Sequence, residues 1–476
     1  MLPPHLNRFA VLLTITLSSI FAPSAHSTPA AKKPNILFLF ADDLTYEAVR
    51  SFGHTDIDTP NLDRLAARGT TFSHCYNMGS WSPAVCIASR AMLITGRHVW
   101  SAQSVHPKLN AERESGVLWP QLLAKAGYET YMTGKWHIPT DAARCFSQVG
   151  TVRQGMPKDS SQSYNRPLQG QPDPWRADDT DLGGYWSGGK HWSEVTADEA
   201  IGFINSNGQR TKPFFMYVAF NAPHDPRQSP REYLERYPLD RIALPRAYQP
   251  DYPHKEEIGC GPSLRDEKLA PFPRTEHAVK VHRREYYALI THLDAQIGRI
   301  LDALEKEGLA ENTWIFFTAD HGLAVGNHGF MGKQNMYDHS TRVPFLVAGP
   351  GVPKGERRDA AIYLQDAMPT TLALAGAEKP KHLFFNDIQP LITDPDRTSP
   401  YPAVYGSYLQ LQRSVTSDGW KLIHYPKTDT HRLYNLQNDP LELRDLASVS
   451  EHKPQQERLQ KALRALQSSL SDPLSP

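Results

Sequence analysis

The chain contains several short apolar runs that end at charged residues. Residues 35–41 form one such run, which stops at Asp42 and Asp43. Further runs of strand length cover residues 128–133, 214–220, 313–319 and 343–348. Strands without polar alternation are buried on both faces, as in parallel sheets covered by helices. We therefore predict a central, mostly parallel sheet built from these runs.

Helical segments separate the apolar runs. Thr59 and Pro60 suit the N-cap and first position of a helix that ends at Gly69. Residues 117–126 and the long amphipathic stretch 276–307 predict two more helices. Helices that alternate with buried strands indicate an α/β fold, in which helices flank a mixed, mostly parallel sheet.

The pattern changes near residue 380. Short strand-like segments lie at residues 403–405, 413–415 and 420–424. A helical segment follows near residues 453–470. We predict a large α/β domain over residues 28–379 and a smaller C-terminal α+β domain with an antiparallel sheet over residues 380–476.

The N-terminal residues have the pattern of a secretory signal peptide. Arg8 precedes an apolar run at residues 9–22, and Ala25 and Ser27 supply the small residues that a signal peptidase reads. The run is shorter than the ~20 apolar residues that span a bilayer. We predict a signal peptide over residues 1–27, no stable membrane insertion, and a mature protein that is exported, either periplasmic or secreted.

The composition argues against several classes of protein. The 476 residues include 51 Lys and Arg and 51 Asp and Glu, so the formal net charge is zero. Such a chain lacks the basic excess typical of nucleic-acid-binding proteins, and we predict no nucleic-acid partner. Its 40% hydrophobic and 21% charged residues are ordinary globular usage. Four cysteines are too few for a disulfide scaffold in a chain of this length.

Four of the predicted strands run directly into ionisable residues. These residues are Asp42 and Asp43, Lys135 and His137, His224, and Asp320 and His321. In open α/β sheets, ligands bind outside the carboxyl ends of the strands. We therefore expect the four groups to converge on one site. Three carboxylates with one imidazole suit a hard cation such as Ca²⁺, and the histidine also fits Mn²⁺ or Zn²⁺.

Two long stretches, residues 138–194 and 225–275, have no regular pattern. Loops of this length inside a compact domain are usually functional. The aromatic residues of the first stretch are Tyr164, Trp175, Tyr185, Trp186 and Trp192. Such rings either bind sugars or pack the loop onto the body of the domain. The sequence leaves both alternatives open.

One motif in the chain indicates a protein family. The sequence CIASR at residues 86–90, followed by LITGR at residues 93–97, resembles the signature of the type I sulfatases of the alkaline phosphatase superfamily. Other motifs resemble that family in the same order along the chain: DD at 42–43, GKWH at 134–137, PHDP at 223–226, DHG at 320–322, GK at 332–333 and LYNLQNDP at 433–440. The resemblance covers nearly all of the mature chain and implies an alkaline-phosphatase-like α/β fold.

The resemblance implies a sulfuric ester hydrolase that releases inorganic sulfate from a sulfated carbohydrate or another alkyl sulfate ester. In that family a maturation enzyme oxidises the signature cysteine, here Cys86, to formylglycine, whose hydrate is the nucleophile. The resemblance also favours Ca²⁺ as the bound ion. The implied ligands of this ion are Asp42, Asp43, Cys86, Asp320 and His321.

The remaining motif residues take implied catalytic roles. Arg90, Lys135 and Lys333 are expected around the sulfate and the formylglycine hydrate. His224 or Lys333 protonates the leaving alcohol, and His137 removes a proton from the residue at position 86. We also expect a helix over residues 89–95, whose N-terminus favours an anion beside the nucleophile.

Two other functions remain open. Phosphodiesterases and phosphonate monoester hydrolases share this scaffold, and a non-catalytic sulfated-glycan binding protein would keep Cys86 as a thiol. Position 88 is Ala where the commonest family form has Pro, and maturation enzymes differ in accepting Ala. If Cys86 becomes an aldehyde, Cys75, Cys145 and Cys260 remain, so at most one internal disulfide can form.

Overall fold

A computed structural model describes residues 32–53, 56–207 and 211–475, together with positions 1 and 4. Apart from those two positions, the predicted signal peptide, residues 1–27, lies outside the described residues, so it stays a prediction. No helix in the described ranges is both long enough and apolar enough to cross a membrane.

The strands, in chain order, are β1 Asn35–Ala41, β2 Thr70–Tyr76, β3 Gly79–Ser80, β4 Glu129–Lys135, β5 Gln148–Arg153, β6 Phe214–Ala219, β7 Thr313–Ala319, β8 Arg342–Ala348, β9 Glu356–Arg358, β10 Ile362–Tyr363, β11 Val404–Tyr408, β12 Gln412–Ser417, β13 Trp420–Tyr425 and β14 Thr430–Asn435.

The helices, in chain order, are α1 Pro60–Ala67, α2 Val85–Thr95, α3 Val99–Val105, α4 Leu109–Ser115, α5 Trp119–Lys125, α6 Trp192–Asn207, α7 Arg231–Leu234, α8 Glu276–Lys306, α9 Asp338–Thr341, α10 Ala367–Ala375, α11 Gln389–Thr393 and α12 Lys453–Ser469. Short 3₁₀ turns connect several of them.

The larger sheet has nine strands and is mixed, as the sequence predicts. Its strand order is β10-β2-β8-β7-β1-β6-β4-β5, and β9 pairs with β2. The strands β7, β1, β6, β4 and β5 are parallel neighbours, whereas β8 is antiparallel to both β7 and β2. Every residue of β1, β6, β7 and β8 is buried, so both faces of this part of the sheet are covered.

Aromatic rings join the sheet to the helices. Trp119 of α5 packs edge-on against Phe38 of β1, with 5.0 Å between ring centroids. The same indole lies 4.8 Å from the ring of Phe215 in β6, and its Nε1 donates a hydrogen bond to Thr371 Oγ1 of α10 at 2.8 Å. Large aromatic surfaces in tilted and edge-on contact stabilise a core beyond their buried area.

The large sheet differs from the prediction in its additional strands β2, β5, β9 and β10 and in the bounds of β4. The stretch 138–194, expected to be irregular, contains β5, which pairs in parallel with β4 at the edge of the sheet. Its residues are half-buried or exposed rather than apolar, which is why the hydrophobic pattern did not reveal it. The strand predicted at 128–133 continues to Lys135 in the structure.

The smaller sheet has five strands in the order β14-β13-β12-β11-β3. The strands β11 to β14 are antiparallel, as predicted, and α12 packs beside them through Leu459 and Leu463. The sequence did not predict β14 or β3. The two-residue strand β3 pairs in parallel with β11, although it lies just before Cys86 in the chain. The small sheet is therefore joined directly to the segment that carries the sulfatase-like motif.

All four cysteines lie in the described part of the chain, and each is buried and free. The structure therefore holds none of the internal disulfides that the sequence would permit.

Candidate active site

The carboxyl ends of four neighbouring parallel strands form the site. The strand order β7-β1-β6-β4 brings together the segments that follow these strands. Backbone hydrogen bonds continue beyond the strands, from Asp320 N to Ala41 O at 3.2 Å and from Asp42 N to Ala222 O at 3.1 Å. The ionisable residues expected to converge are thus neighbours at one edge of the sheet.

Cys86 lies in the first turn of α2. The helix begins at Val85, earlier than the predicted start near residue 89, and ends at Gly96, whose φ of 70° is left-handed. The Cys86 sulfur lies 3.3 Å from His321 Nε2. Because the N-terminus of a helix favours negative charge, this position suits an anionic group at residue 86 or on its ligand.

Three cations each face a buried carboxylate. Arg90 Nε donates a hydrogen bond to Asp320 Oδ2 at 3.1 Å, and Lys135 Nζ is in close contact with Asp42 Oδ2. Lys333 Nζ lies 2.9 Å from both carboxylate oxygens of Asp43. All six side chains are buried.

The opposite charges control the protonation states of these groups. Burial favours the neutral form of Asp320, but the positive charges of His321, Arg90 and Lys135 outweigh it and hold the pKa of Asp320 well below its usual range. Burial also opposes the charge on Lys333, yet the carboxylates of Asp266 and Asp43 raise the pKa of Lys333 well above its usual value. Asp320 and Lys333 therefore keep their charges at neutral pH.

Cys86 and three neighbouring residues offer a set of atoms that could bind a metal cation. Ligand atoms of Asp42, Asp43, Cys86 and His321 all lie within 4.8 Å of one another. Asp42 Oδ1 accepts no hydrogen bond from any described residue, although it is buried. Buried acceptors without a partner are rare in folded proteins, so this oxygen is available to a metal ion. Carboxylate oxygens are the ligands that Ca²⁺ prefers.

His321 carries the charge that balances this cluster. Its Nε2 lies 3.2 Å from Asp43 Oδ1 and 3.5 Å from Asp320 Oδ1. Burial opposes protonation, but these carboxylates prevail and raise the pKa of His321 to about 10. Asp320 lies beside the cluster, since its Oδ1 accepts a hydrogen bond from Asp43 N at 3.2 Å and its Oδ2 faces Arg90.

His224 pairs with Lys333 at the end of β6. Its Nε2 lies 2.8 Å from Lys333 Nζ, and its Nδ1 lies 2.8 Å from the backbone oxygen of Asp225. Burial and the positive charge of Lys333 lower the pKa of His224 well below its usual value. The pair therefore consists of a neutral imidazole and a charged ammonium.

His137 is half-buried just beyond β4. Burial and the charges of Lys135 and Arg90 lower the pKa of His137 to about 3. Its Nδ1 is buried and has no hydrogen-bond partner among the described residues. The structure thus provides a neutral imidazole two residues from Lys135.

Two site residues have strained backbones. Asp43 and His137 have φ angles of 66° and 56°, in the left-handed region that residues other than glycine rarely adopt. Tyr286 of α8 fixes Asp43, because its hydroxyl donates to Asp43 O at 2.6 Å and accepts from Thr45 N at 3.2 Å. Such strain concentrates at functional sites, where the surrounding structure maintains it.

The structure adds a residue that the sequence did not suggest. Arg265, in the second long loop, contacts Asp225 and Asp266 closely and lies 3.1 Å from Asp159 Oδ2 of the first long loop. Asp266 Oδ2 in turn lies 3.7 Å from Lys333 Nζ. No motif marks Arg265, and the length of the two loops is the one sequence signal that pointed to this region.

Two of the five aromatic residues noted in the first loop serve packing. Trp175 and Tyr185 are buried, and the Tyr185 ring stacks on His191 at 4.8 Å. Its hydroxyl donates to the backbone oxygen of His224 at 3.2 Å. For these two rings the structure favours packing over sugar binding, whereas Tyr164, Trp186 and Trp192 are half-buried.

Comparison with known proteins decides the family. A family model described as Sulfatase matches residues 34–377, which is most of the chain. The chain belongs to the sulfatase family. A second model, described as N-sulphoglucosamine sulphohydrolase, C-terminal, matches residues 326–469. The resemblance seen in the sequence is thus confirmed, and the enzyme is a sulfatase of the alkaline phosphatase superfamily.

Individual relatives agree with this family. An N-acetylglucosamine-6-O-sulfatase from Bacteroides thetaiotaomicron is 26% identical to this sulfatase, and the match covers 97% of this chain and 90% of the relative. A protein solved in complex with its substrate D-glucosamine-2-N,6-O-disulfate has a TM-score of 0.71 at 24% identity, covering 93% and 99% of the two chains. A phosphonate monoester hydrolase from Silicibacter pomeroyi has a TM-score of 0.71 at 20% identity, covering 92% and 95%. These two structures confirm the predicted fold.

Proposed function

We propose that this sulfatase hydrolyses sulfate esters of a carbohydrate, with Cys86 matured to formylglycine and Ca²⁺ bound beside it. The observation that carries the proposal is the position of Cys86. Its side chain lies at the N-terminus of α2, 3.3 Å from His321 and beside the carboxylate cluster that fits a cation. A sulfate ester needs its negative oxygens neutralised and its nucleophile aligned, and this arrangement supports both.

The residues of the cluster have distinct tasks in this proposal. Asp42, Asp43, Asp320, residue 86 and His321, which would release its proton on binding, would hold Ca²⁺, and the ion would supply positive charge to the sulfate oxygens. Formylglycine at residue 86 would supply a hydroxyl nucleophile as its hydrate, and its second hydroxyl would give the sulfate a route of release. The buried cations Arg90, Lys135 and Lys333 bind the anionic group, because each already stands in a preorganised ion pair.

One pair of residues and one single histidine move protons in this proposal. Lys333 holds a proton and lies 2.8 Å from His224, so this pair donates to the oxygen of the leaving alcohol. His137 accepts a proton from the hydroxyl at residue 86. Its pKa is low because Lys135 and Arg90 are positive, so a sulfate ester bound against these cations raises the pKa of His137 and makes it a better base.

Carbohydrate is the proposed substrate class. One relative that matches nearly the whole chain is an N-acetylglucosamine-6-O-sulfatase, and a structural neighbour was solved with a disulfated glucosamine. Both support an amino sugar sulfate as the first substrate to test. We also propose export through residues 1–27 and action of a maturation enzyme on Cys86, as the sequence predicts.

Release of inorganic sulfate tests the proposal. Protein produced with a maturation enzyme and Ca²⁺ is offered sulfated monosaccharides and an aryl sulfate, beside matching aryl phosphate and phosphonate esters. We expect sulfate esters to be turned over best, and Cys86→Ala to abolish turnover while it leaves the fold intact, since it opens no large cavity. Dominant phosphonate or phosphate ester turnover, or activity in the alanine variant, would overturn it.

A further inference from the structure

A buried glutamine of the small sheet contacts the segment that carries Lys333. Gln412, the first residue of β12, is fully buried. Its Nε2 donates hydrogen bonds to two backbone oxygens, Gln334 O at 2.7 Å and Ile258 O at 2.9 Å. Gln334 directly follows Lys333, and Ile258 belongs to the second long loop. One amide of the small sheet therefore holds the Lys333 segment and this loop at the same time.

The two acceptors fix the orientation of the Gln412 amide. An amide nitrogen carries two hydrogens, and both acceptors are carbonyl oxygens, so the nitrogen must face them. Gln412 Oε1 is left buried, without a hydrogen-bond partner among the described residues. A buried acceptor of this kind costs stability. The two bonds that the nitrogen donates are therefore what this polar side chain contributes to the fold.

Gln334 links this contact to the catalytic groups. Its Oε1 accepts a hydrogen bond from Lys333 N at 3.0 Å. Its Nε2 donates to Asp266 Oδ2 at 2.5 Å and to Pro83 O at 3.0 Å. Asp266 faces Lys333 Nζ, and Pro83 lies three residues before Cys86. A shift of Gln334 would therefore move Lys333 relative to the nucleophile.

A buried ion cluster ties the other end of the same segment to the small sheet. Lys421 Nζ of β13 lies 2.8 Å from Asp338 Oδ1 and 2.8 Å from Glu442 Oε1. Glu442 Oε2 accepts a hydrogen bond from Asp338 N at 2.7 Å. All three side chains are buried, and separating buried charges from their partners is costly. Residues 334–338 are thus held to the small sheet at both ends.

We propose that Gln412 is a positioning residue for the proton donor of the sulfatase reaction. The proposal rests on the role of Lys333 in the proposed function. Lys333 Nζ has to reach His224 and Asp43 together, so the backbone that carries it must stay in place. Misplacing a catalytic group by about 1 Å can cost about 100-fold in rate. The small sheet contributes to catalysis in this way without touching the substrate.

Two esters that differ in their need for a proton test the proposal. Nitrophenolate leaves as a stabilised anion, whereas the alkoxide of a sugar needs a proton. Sulfate release from nitrophenyl sulfate and from N-acetylglucosamine 6-sulfate is measured for the matured, Ca²⁺-loaded wild type and for Gln412→Met. This change keeps the size of the side chain but removes both donors. Gln334 O then keeps the Cys260 thiol at 3.0 Å, which is a weak donor.

We expect Gln412→Met to lower kcat for the sugar sulfate by about 10-fold or more and to change kcat for nitrophenyl sulfate by less than about 3-fold. Gln410→Met is the matched control, because Gln410 is exposed in the turn before β12, and it should behave as the wild type. Glu442→Gln should change the ratio of the two rates in the same direction but less, since an amide oxygen still accepts from Asp338 N. Equal losses on both esters in Gln412→Met would indicate a general loss of folded enzyme and would overturn the proposal, as would unchanged rates on both.

Hydrogen exchange separates this inference from the proposed function. A wild type that releases sulfate from neither ester contradicts the proposed function, and the anchoring by Gln412 is then judged from amide exchange in residues 332–338. We expect faster exchange there in Gln412→Met, with unchanged exchange in β1 and β7, and wild-type exchange in Gln410→Met. Equal exchange of residues 332–338 in the wild type and Gln412→Met would show that Gln412 does not hold this segment.

Discussion

At the scale of single residues, the candidate active site is an arrangement of opposite charges. Arg90, Lys135 and Lys333 come from three segments of the chain, and each is held by a carboxylate. Burying one ion costs several kcal/mol, and a close partner of opposite charge offsets that cost. Removal of either partner therefore affects both the stability of the fold and the binding of an anion.

Lys333 offers the sharpest test at this scale. We expect Lys333→Ala to lower kcat by about 100-fold or more, because it removes the proton held against His224. The variant should also be less stable, since Asp43 loses its ammonium partner. The measurements are sulfate release and the free energy of unfolding in urea.

Lys306→Ala is the control for this change, because Lys306 is exposed at the end of α8. If the kcat of Lys333→Ala equals that of the wild type, Lys333 takes no part in the proposed proton transfer.

At the scale of elements, the register of β4 against β6 decides where Lys135 lies. Gly134 is paired with Ala219 and has a φ of 92°. A Cβ at this position would lie 1.8 Å from Ala219 O, so an alanine would push the strands apart. Glycine is thus required here for close approach of two backbones as well as for its φ.

Gly134→Ala should therefore displace Lys135, lower sulfate release and destabilise the protein by roughly 1–3 kcal/mol. Gly127→Ala is the matched control, because Gly127 has a φ of 94° but nothing within 4 Å of an added Cβ. Both variants carry the same backbone strain, so the difference between them measures the collision alone. Equal effects of the two substitutions on activity would contradict this account of the register.

The two long loops meet at Arg265, whose side chain is 36% exposed. Arg265→Ala removes the partner of carboxylates in both loops, and we expect kcat to fall while the fold remains. Arg265→Lys should restore part of the activity, since a lysine keeps the charge but not the planar fork.

Steady-state kinetics separate positioning from binding in this series. Because Arg265 acts on His224 through Asp225, the loss should appear in kcat and in the pH profile rather than in KM alone. Arg241→Ala, an exposed arginine of the same loop, should have no effect. An unchanged kcat in Arg265→Ala would show that this network does not position the site.

The sequence predicted the strands that consist entirely of apolar residues, and it predicted the charged residues that follow them. The predicted strands at residues 35–41 and 313–319 coincide with β1 and β7, and Asp42 and Asp320 follow directly. The strands β5 and β14 escaped prediction because both lie at the edge of a sheet and have few buried residues, so neither forms an apolar run. Arg265 escaped because its partners Asp159 and Asp225 are distant in sequence, and only the folded loops bring them together.

At the scale of the whole molecule, a buried carboxyl joins segments on both sides of residue 380, the predicted domain boundary. Asp366 accepts hydrogen bonds from the backbone nitrogens of Asn386 at 2.8 Å and Tyr363 at 2.9 Å, and from the Tyr401 hydroxyl. Burial raises the pKa of Asp366 from 3.8 to about 7, although these hydrogen bonds oppose it.

This raised pKa makes stability depend on pH. Between about pH 4 and 7 the folded protein keeps a proton on Asp366 that the unfolded chain has lost, so this contribution to stability is present at low pH and disappears as the pH rises. The amide introduced by Asp366→Asn cannot titrate, so the variant does not lose this stability as the pH rises. The free energy of unfolding of the variant minus that of the wild type should therefore increase by on the order of a few kcal/mol from pH 4 to 8. Urea denaturation across this range measures the gap, and a constant gap would contradict the prediction.

The net charge of the chain is zero, but its charged residues are unevenly distributed. The 51 basic and 51 acidic residues balance overall, yet the active site concentrates carboxylates beside Cys86 and cations around them. This concentration is useful to catalysis only if residue 86 supplies a nucleophile, so the chemical state of that residue is the central claim.

Mass spectrometry of the peptide that contains residue 86 tests this claim most directly. The peptide is taken from active protein made in the native host, and sulfate release is measured on the same sample. We predict the mass of the aldehyde or its hydrate in place of the thiol, in a proportion that follows the specific activity between preparations. An active preparation in which residue 86 is entirely unmodified cysteine would contradict the account.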